Sequence, residues 1–248
     1  MQETADGAYV AQTNEIPCNY TTVCDADAMD TSLISYRVDT TGDFYVHNWI
    51  EQMSLQCVPS EYMGFIGSFG FFGAVLSCVV LPVFADKFGR YSVYLITITL
   101  QLPIYVLNNT AKTLIPEYIV SFLLGVALLG RFTAGFILLL ESVPQKHKAL
   151  AGTALAVGDT AAQLYVTFFL RFISRDSQTV IWIGMGLNFV ALIATFWNVE
   201  SPAWLVSVGE TEKAKKNILY IAKFNGIQDI QITHLKPDDI GENKEDNE

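Results

Sequence analysis

Two long apolar runs flank a compact charged turn, Ala85-Asp86-Lys87-Phe88-Gly89-Arg90. The runs, residues 62–84 and 91–107, each approach the ~20 residues a helix needs to cross a bilayer core. Lys87 and Arg90 place the turn on the cytoplasmic side by the positive-inside bias. With that turn inside, every later segment acquires a side. Spans are expected at about 63–84, 91–107, 115–140, 149–172 and 179–199, joined by short turns. The turn Pro144-Gln145-Lys146-His147-Lys148 and the lysines Lys213, Lys215, Lys216 and Lys223 fall inside. Asn108-Asn109-Thr110 and the Arg171, Arg175, Asp176 turn fall outside. Five crossings leave the N-terminus outside and the C-terminus cytoplasmic.

Composition agrees with a membrane protein. Only 16% of residues are charged, against about 25% in a soluble domain, and the deficit lies between the polar ends. The net charge of -10 comes largely from those ends. Residues 1–61 hold ten acids against one base, Arg37, and the last residues are acidic too. Neither end offers the basic patch that a nucleic acid requires.

The organisation read from the chain is a polar outer domain at 1–61, a five-helix bundle at 62–200, a cytoplasmic segment with a short amphipathic helix at 201–226, and an acidic, disordered tail at 227–248. Within the outer domain, residues 44–57 read as an amphipathic helix leading to the membrane. Asn19-Tyr20-Thr21 and Asn108-Asn109-Thr110 are glycosylation sequons, so Asn19 and Asn108 are candidates on the outer side. Cys18, Cys24 and Cys57 suggest one disulfide with an odd thiol, or a partner outside this chain. No apolar core of a signal peptide occurs in residues 1–30, although 1–61 is placed outside.

In the first span, Gly64 with Ser68 and Gly70 with Ala74 are small-xxx-small pairs that let helix backbones approach closely in lipid. Charges within spans stand out. Arg131 and Asp159 each fall near the middle of a predicted span, on consecutive antiparallel helices, and such charges cost about 2.5–3.5 kcal/mol unless they are paired or hydrated. They form either a pair lining a solute or proton pathway or an interhelical ion pair, and Gln163 shares a helical face with Asp159. His47, His147 and His234 have no ligand spacing, and no nucleophile–base or phosphate-loop pattern occurs. No metal, cofactor or enzymatic activity is expected.

Three motifs carry a family resemblance. Asp86-Lys87-Phe88-Gly89-Arg90 resembles the loop G-x-x-x-D-R/K-x-G-R-R/K of the major facilitator superfamily. Glu141-Ser142-Val143-Pro144 with Lys148 is similar to E-x-x-P-x-x-x-R of its organic cation, organic anion and carnitine transporter branch, the solute carrier family 22 type. Glu200-Ser201-Pro202-Ala203-Trp204-Leu205, then Gly209 and Glu212-Lys213-Ala214, resembles that branch's E-S-P-R-W-L segment and following helix. Trp49 and Cys57 fit the end of its large outer loop.

The resemblance implies an all-α, partial major facilitator fold whose five spans are helices two to six. It leaves helix one and helices seven to twelve without counterparts. It further implies a secondary transporter of small organic ions in the plasma membrane, with no cofactor. The inner-gate candidates are Asp86, Lys87, Gly89, Arg90, Glu141, Lys148 and Glu200. Pro82, Tyr91 and Ala203 depart from the motifs, and Ser121 stands where the superfamily usually has an arginine four residues before a glycine, here Gly125. Two functions follow as expectations: an incomplete transporter half that does not transport alone, or a non-transporting membrane partner derived from one.

Overall fold

The computed structural model describes residues 2–3, 9–10, 24 and 45–227. Asn19, Cys18 and the tail beyond residue 227 lie outside the described residues, as does most of the 1–61 outer domain. A two-residue antiparallel ribbon pairs β1 (Gln2–Glu3) with β2 (Tyr9–Val10). The rest is helical. A short α1 (Trp49–Gln52) and a 3-10 turn (Leu55–Cys57) precede the long helices α2 (Ser60–Phe88), α3 (Arg90–Thr110), α4 (Leu114–Ser142), α5 (Gln145–Phe172) and α6 (Ser177–Thr195). Two shorter helices follow, α7 (Pro202–Ser207) and α8 (Thr211–Phe224). Among the described residues, these five long helices are long and apolar enough to cross a bilayer.

The expected helix over 44–57 is broken in two. Asn48 caps α1 by accepting from the amides of Ile50 and Glu51, and Ser54 takes a left-handed conformation (φ 54°) that stops it. The charged turn at 85–90 is tighter than its sequence suggests. Asp86 and Lys87 still belong to the last turn of α2, and Gly89 alone turns the chain into α3. Its φ of +97° suits a residue without Cβ. The last span is shorter than 179–199 because the amides of Phe196, Trp197 and Asn198 bond back three residues and tighten the helix end.

The tightest crossing joins α2 to α4. A Cβ on Gly73 would strike the Phe122 carbonyl, and one on Gly125 would strike the Gly70 carbonyl and crowd the Ala74 amide. Backbone therefore rests on backbone, as the Gly70–Ala74 spacing anticipated. The Ser77 hydroxyl donates across the crossing to the Val126 carbonyl (3.0 Å). Nothing lies within 4 Å of a Cβ on Gly64, so that pair is not used inside this bundle. Small apolar clusters fill the two ends of the α2–α3–α4 core: Ala85, Val93 and Ala134 at one, Ile104, Val120 and Ala127 at the other. α6 docks on α3, and α5 sits at the rim, where only Phe169 is buried.

The end that carries α1 and the α5–α6 turn is strapped. The His47 amide donates to the Arg175 carbonyl (2.8 Å), and the Ser177 amide donates to the His47 carbonyl (3.1 Å), which ties the segment before α1 to the α5–α6 turn. Asp176 caps α6 through the amides of Gln178 and Thr179. Cys24 and Cys57 form a disulfide. Tyr45 donates to Glu51 at 2.8 Å and His47 lies 2.8 Å from the same oxygen. The Tyr45 hydrogen bond, followed by His47, holds the Glu51 carboxyl below the ordinary range.

Candidate functional site

Opposite the strap, four chain segments meet in one polar node. Arg90 opens α3, where a cation faces the positive end of the helix dipole. Carboxylates offset this. Arg90 reaches back one turn to Asp86 (3.0 Å) and across to Glu141 in the last turn of α4 (3.2 Å), and it donates to the Ala85 carbonyl (3.3 Å). Asp86 is open to solvent, whereas Arg90 and Glu141 are mostly covered, their side chains 15% and 22% exposed. The Arg90 Nε and Glu141 Oε2 approach off the N–H axis, so charge attraction rather than an aligned hydrogen bond joins them.

Glu200 completes the node from the loop after α6. One carboxylate oxygen accepts from the Tyr91 amide and from its neighbour Ser201 (both 3.0 Å). It thus caps α3, whose Gly89 N-cap has no side chain to do so. The other oxygen packs on Gly89, in the space a Cβ would occupy. Trp204 on α7 donates its ring N–H to the Asp86 carbonyl (2.8 Å), and Asn217 on α8 donates to the Glu200 carbonyl (2.9 Å). Asp86, Gly89, Arg90, Glu141 and Glu200, separated by up to 114 residues in number, are thereby brought together. Lys87 instead lies over the Phe88 ring, 5.5 Å from its centre, and Lys148 is half-buried near the start of α5 without an ion pair to Glu141 among the described residues.

The mid-span charges do not meet. Arg131 turns to α6 rather than α5. With the Asn188 amide oriented to satisfy its surroundings, its oxygen accepts from Arg131 (3.0 Å) and its nitrogen donates to the Ile98 carbonyl (3.3 Å). The same Asn188 oxygen lies 2.9 Å from the Gln101 amide, which, turned likewise, donates its nitrogen to Asn188 and accepts from the Tyr105 hydroxyl (2.9 Å). This clamp joins α3, α4 and α6, and Gln101 and Asn188 are buried within it. Asp159 is exposed on α5 and touches only Gln163 (3.4 Å). Neither interior amide was singled out with Arg131 from the sequence, though a Gln and an Asn inside apolar runs are the signal that could have found them. Arg131→Leu is expected to lower stability by ~1–3 kcal/mol, because it strips Asn188 of a buried partner. Asp159→Asn, on an exposed face, is expected to leave it unchanged. Thermal unfolding in detergent distinguishes the two.

Asn108, in the last turn of α3, lies half-buried and donates its amide nitrogen to the buried Glu117 (2.9 Å), which holds α3 to α4. No cluster of three or more His, Cys, Asp or Glu side chains fit to hold a metal ion occurs among the described residues.

A family model described as sugar (and other) transporter matches residues 23–231, from the outer segment through all five spans to α8. The chain belongs to that family. The chain is also similar to organic cation and organic anion transporters and to solute carrier family 22 proteins. The chain is 25% identical to organic cation transporter 1 of Caenorhabditis elegans over 79% of its own length and 34% of the relative. It is 28% identical to solute carrier family 22 member 6-A of Xenopus laevis over 75% of its length and 33% of that protein. It is 26% identical to human organic anion transporter 3 over 80% of its length and 36% of the relative. The chain thus spans about a third of the length of the curated relatives it matches.

Proposed function

We propose that this chain forms helices two to six of a facilitator-type secondary transporter that moves small organic ions, sitting in the plasma membrane with residues 45–57 outside and α7–α8 in the cytoplasm. The relatives' names and the odd number of crossings support the reading. It rests on the inner node, which welds the inner ends of α2, α3 and α4 and the post-α6 loop into one unit. Alternating access needs such a rigid unit to rock against a second one around a midplane site. Asp86, Arg90, Glu141 and Glu200 belong to the inner gate, where the second unit meets the first.

Asp159 and Gln163 are the polar groups of α5 that face the solute path. A carboxylate there favours cations. Arg131 serves the bundle interior. By itself the chain supplies one side of the path, so cells expressing residues 1–248 alone take up neither a quaternary ammonium cation nor an aromatic carboxylate. Supplying helix one and helices seven to twelve from a relative restores cation uptake, and Asp159→Asn then reduces it at least tenfold, on the scale of losing one ~1.4 kcal/mol contact. Uptake by residues 1–248 alone overturns the proposal. Correct insertion with no uptake in the completed protein favours the alternative, a non-transporting membrane partner. That alternative draws on Ser121 in place of the superfamily's arginine.

A further inference from the structure

α8 has two faces. Its inward face carries the buried Ala214 and Ala222; Ala214 packs with Leu205 and Val206 of α7, and Asn217 holds Glu200 from above. Its outward face carries Tyr220 and Phe224, one helical turn apart. Phe224 is 82% exposed, the most exposed large apolar side chain described. The Tyr220 hydroxyl donates to the Trp197 carbonyl (3.3 Å), which sets this aromatic edge beside the inner end of α6. There Phe196 and Trp197 are also exposed, at 66% and 65%. Aromatics from two elements therefore gather at the level where the spanning helices end, the place such rings occupy at a membrane boundary.

Beside the aromatic edge runs a basic one. Lys216 and Lys223 are seven residues apart, which puts them on one stripe of a helix. Both are exposed, and no carboxylate pairs with either among the described residues, whereas Lys213 is paired with Glu210 (3.3 Å). Apolar rings on one edge and unpaired lysines on the next are the pattern of a helix lying in the headgroup layer. The face is continuous with the apolar surface of α6, so its neighbour is lipid.

We propose that α8 lies along the cytoplasmic leaflet and binds anionic phospholipid headgroups through Lys216 and Lys223, with Tyr220 and Phe224 sunk to the acyl boundary. The proposal rests on the orientation given above, but not on transport. A lysine near an anionic membrane surface gains about 1 kcal/mol, so two of them give a preference of about thirtyfold.

The test uses the full chain reconstituted in phosphatidylcholine vesicles, with energy transfer from tryptophan to dansyl-phosphatidylserine or dansyl-phosphatidylcholine as the reading. Phosphatidylserine is expected to bind about thirtyfold more tightly. K216Q/K223Q removes the preference, and K112Q at the outer end leaves it intact. Equal binding of the two lipids, or a preference that survives K216Q/K223Q, overturns the proposal and leaves the face to a protein partner or a second copy. Labelling of Lys216 by an impermeant amine reagent added to intact cells overturns the orientation separately. Uptake assays are untouched by either outcome, so failure here is distinguishable from failure of the transport reading.

Discussion

Gly125→Val is expected to disrupt the bundle more than any other single change described. A Cβ at this position already overlaps the Gly70 carbonyl and crowds the Ala74 amide, and valine adds two methyl groups to the same wall. Where a flexible side chain is struck, it swings aside. Here the struck atoms are backbone in the middle of α2, and the reciprocal contact of Gly73 on Phe122 prevents the helices from sliding past each other. Separating them costs the Ser77–Val126 hydrogen bond as well. Overpacking ordinarily costs ~1–3 kcal/mol, and with no soft neighbour the loss sits at the top of that range. The thermal midpoint in detergent is expected to fall by many degrees, with aggregation at the temperature where the parent chain stays monodisperse. Gly64→Ala is the control. It lies on the same helix with open space around it, and it is expected to leave the midpoint unchanged. Equal midpoints for Gly125→Val and the parent would show that α2 and α4 do not cross here.

The second large effect belongs to Arg90. Arg90→Ala leaves Glu141 mostly buried without its cation and removes the counter-charge from Asp86. Removing one member of a buried pair costs about 3–5 kcal/mol. The partial exposure of both side chains puts the expected loss near the lower figure. Because much of that loss is the stranded charge, Arg90→Ala/Glu141→Ala is expected to recover a good part of the thermal midpoint. Arg90→Lys keeps the charge but not the planar fork that touches two carboxylates and a carbonyl, so it falls between. A double variant no more stable than Arg90→Ala would mean that Arg90 acts through packing alone.

The five spans were legible because apolar length is a strong signal in membrane chains. So was a close approach of another helix to α2 at Gly70 and Ala74, although not that the partner would be α4 at Gly125. The polar node was legible through three motifs, although nothing in their wording said that Glu200 would cap α3. The direction of Arg131 was not legible. Span length tells how deep a residue lies but not which way it faces, and with lipid on one side and protein on the other both faces of a helix are apolar, which erases the periodicity that marks a core in water. The partner of Asn108 was hidden for a different reason. A sequon is a local pattern, and Glu117 meets it only through the turn between α3 and α4. The break in α1 came from Ser54 adopting a conformation that its neighbours in sequence do not announce.

The bare rim helix α5 bears on the chain's life in a cell. A spanning helix is handed into the bilayer before its neighbours are all present, and Asp159 on an uncovered flank makes that hand-over costly, on the order of 2.5–3.5 kcal/mol. Until another helix or water covers the carboxylate, α5 has little of its surface buried, Phe169 being its one buried side chain. Assembly and degradation then compete for the same exposed flank. Covering of the α5 flank is therefore expected to lengthen the lifetime of this protein in cells, as pulse-chase decay measures.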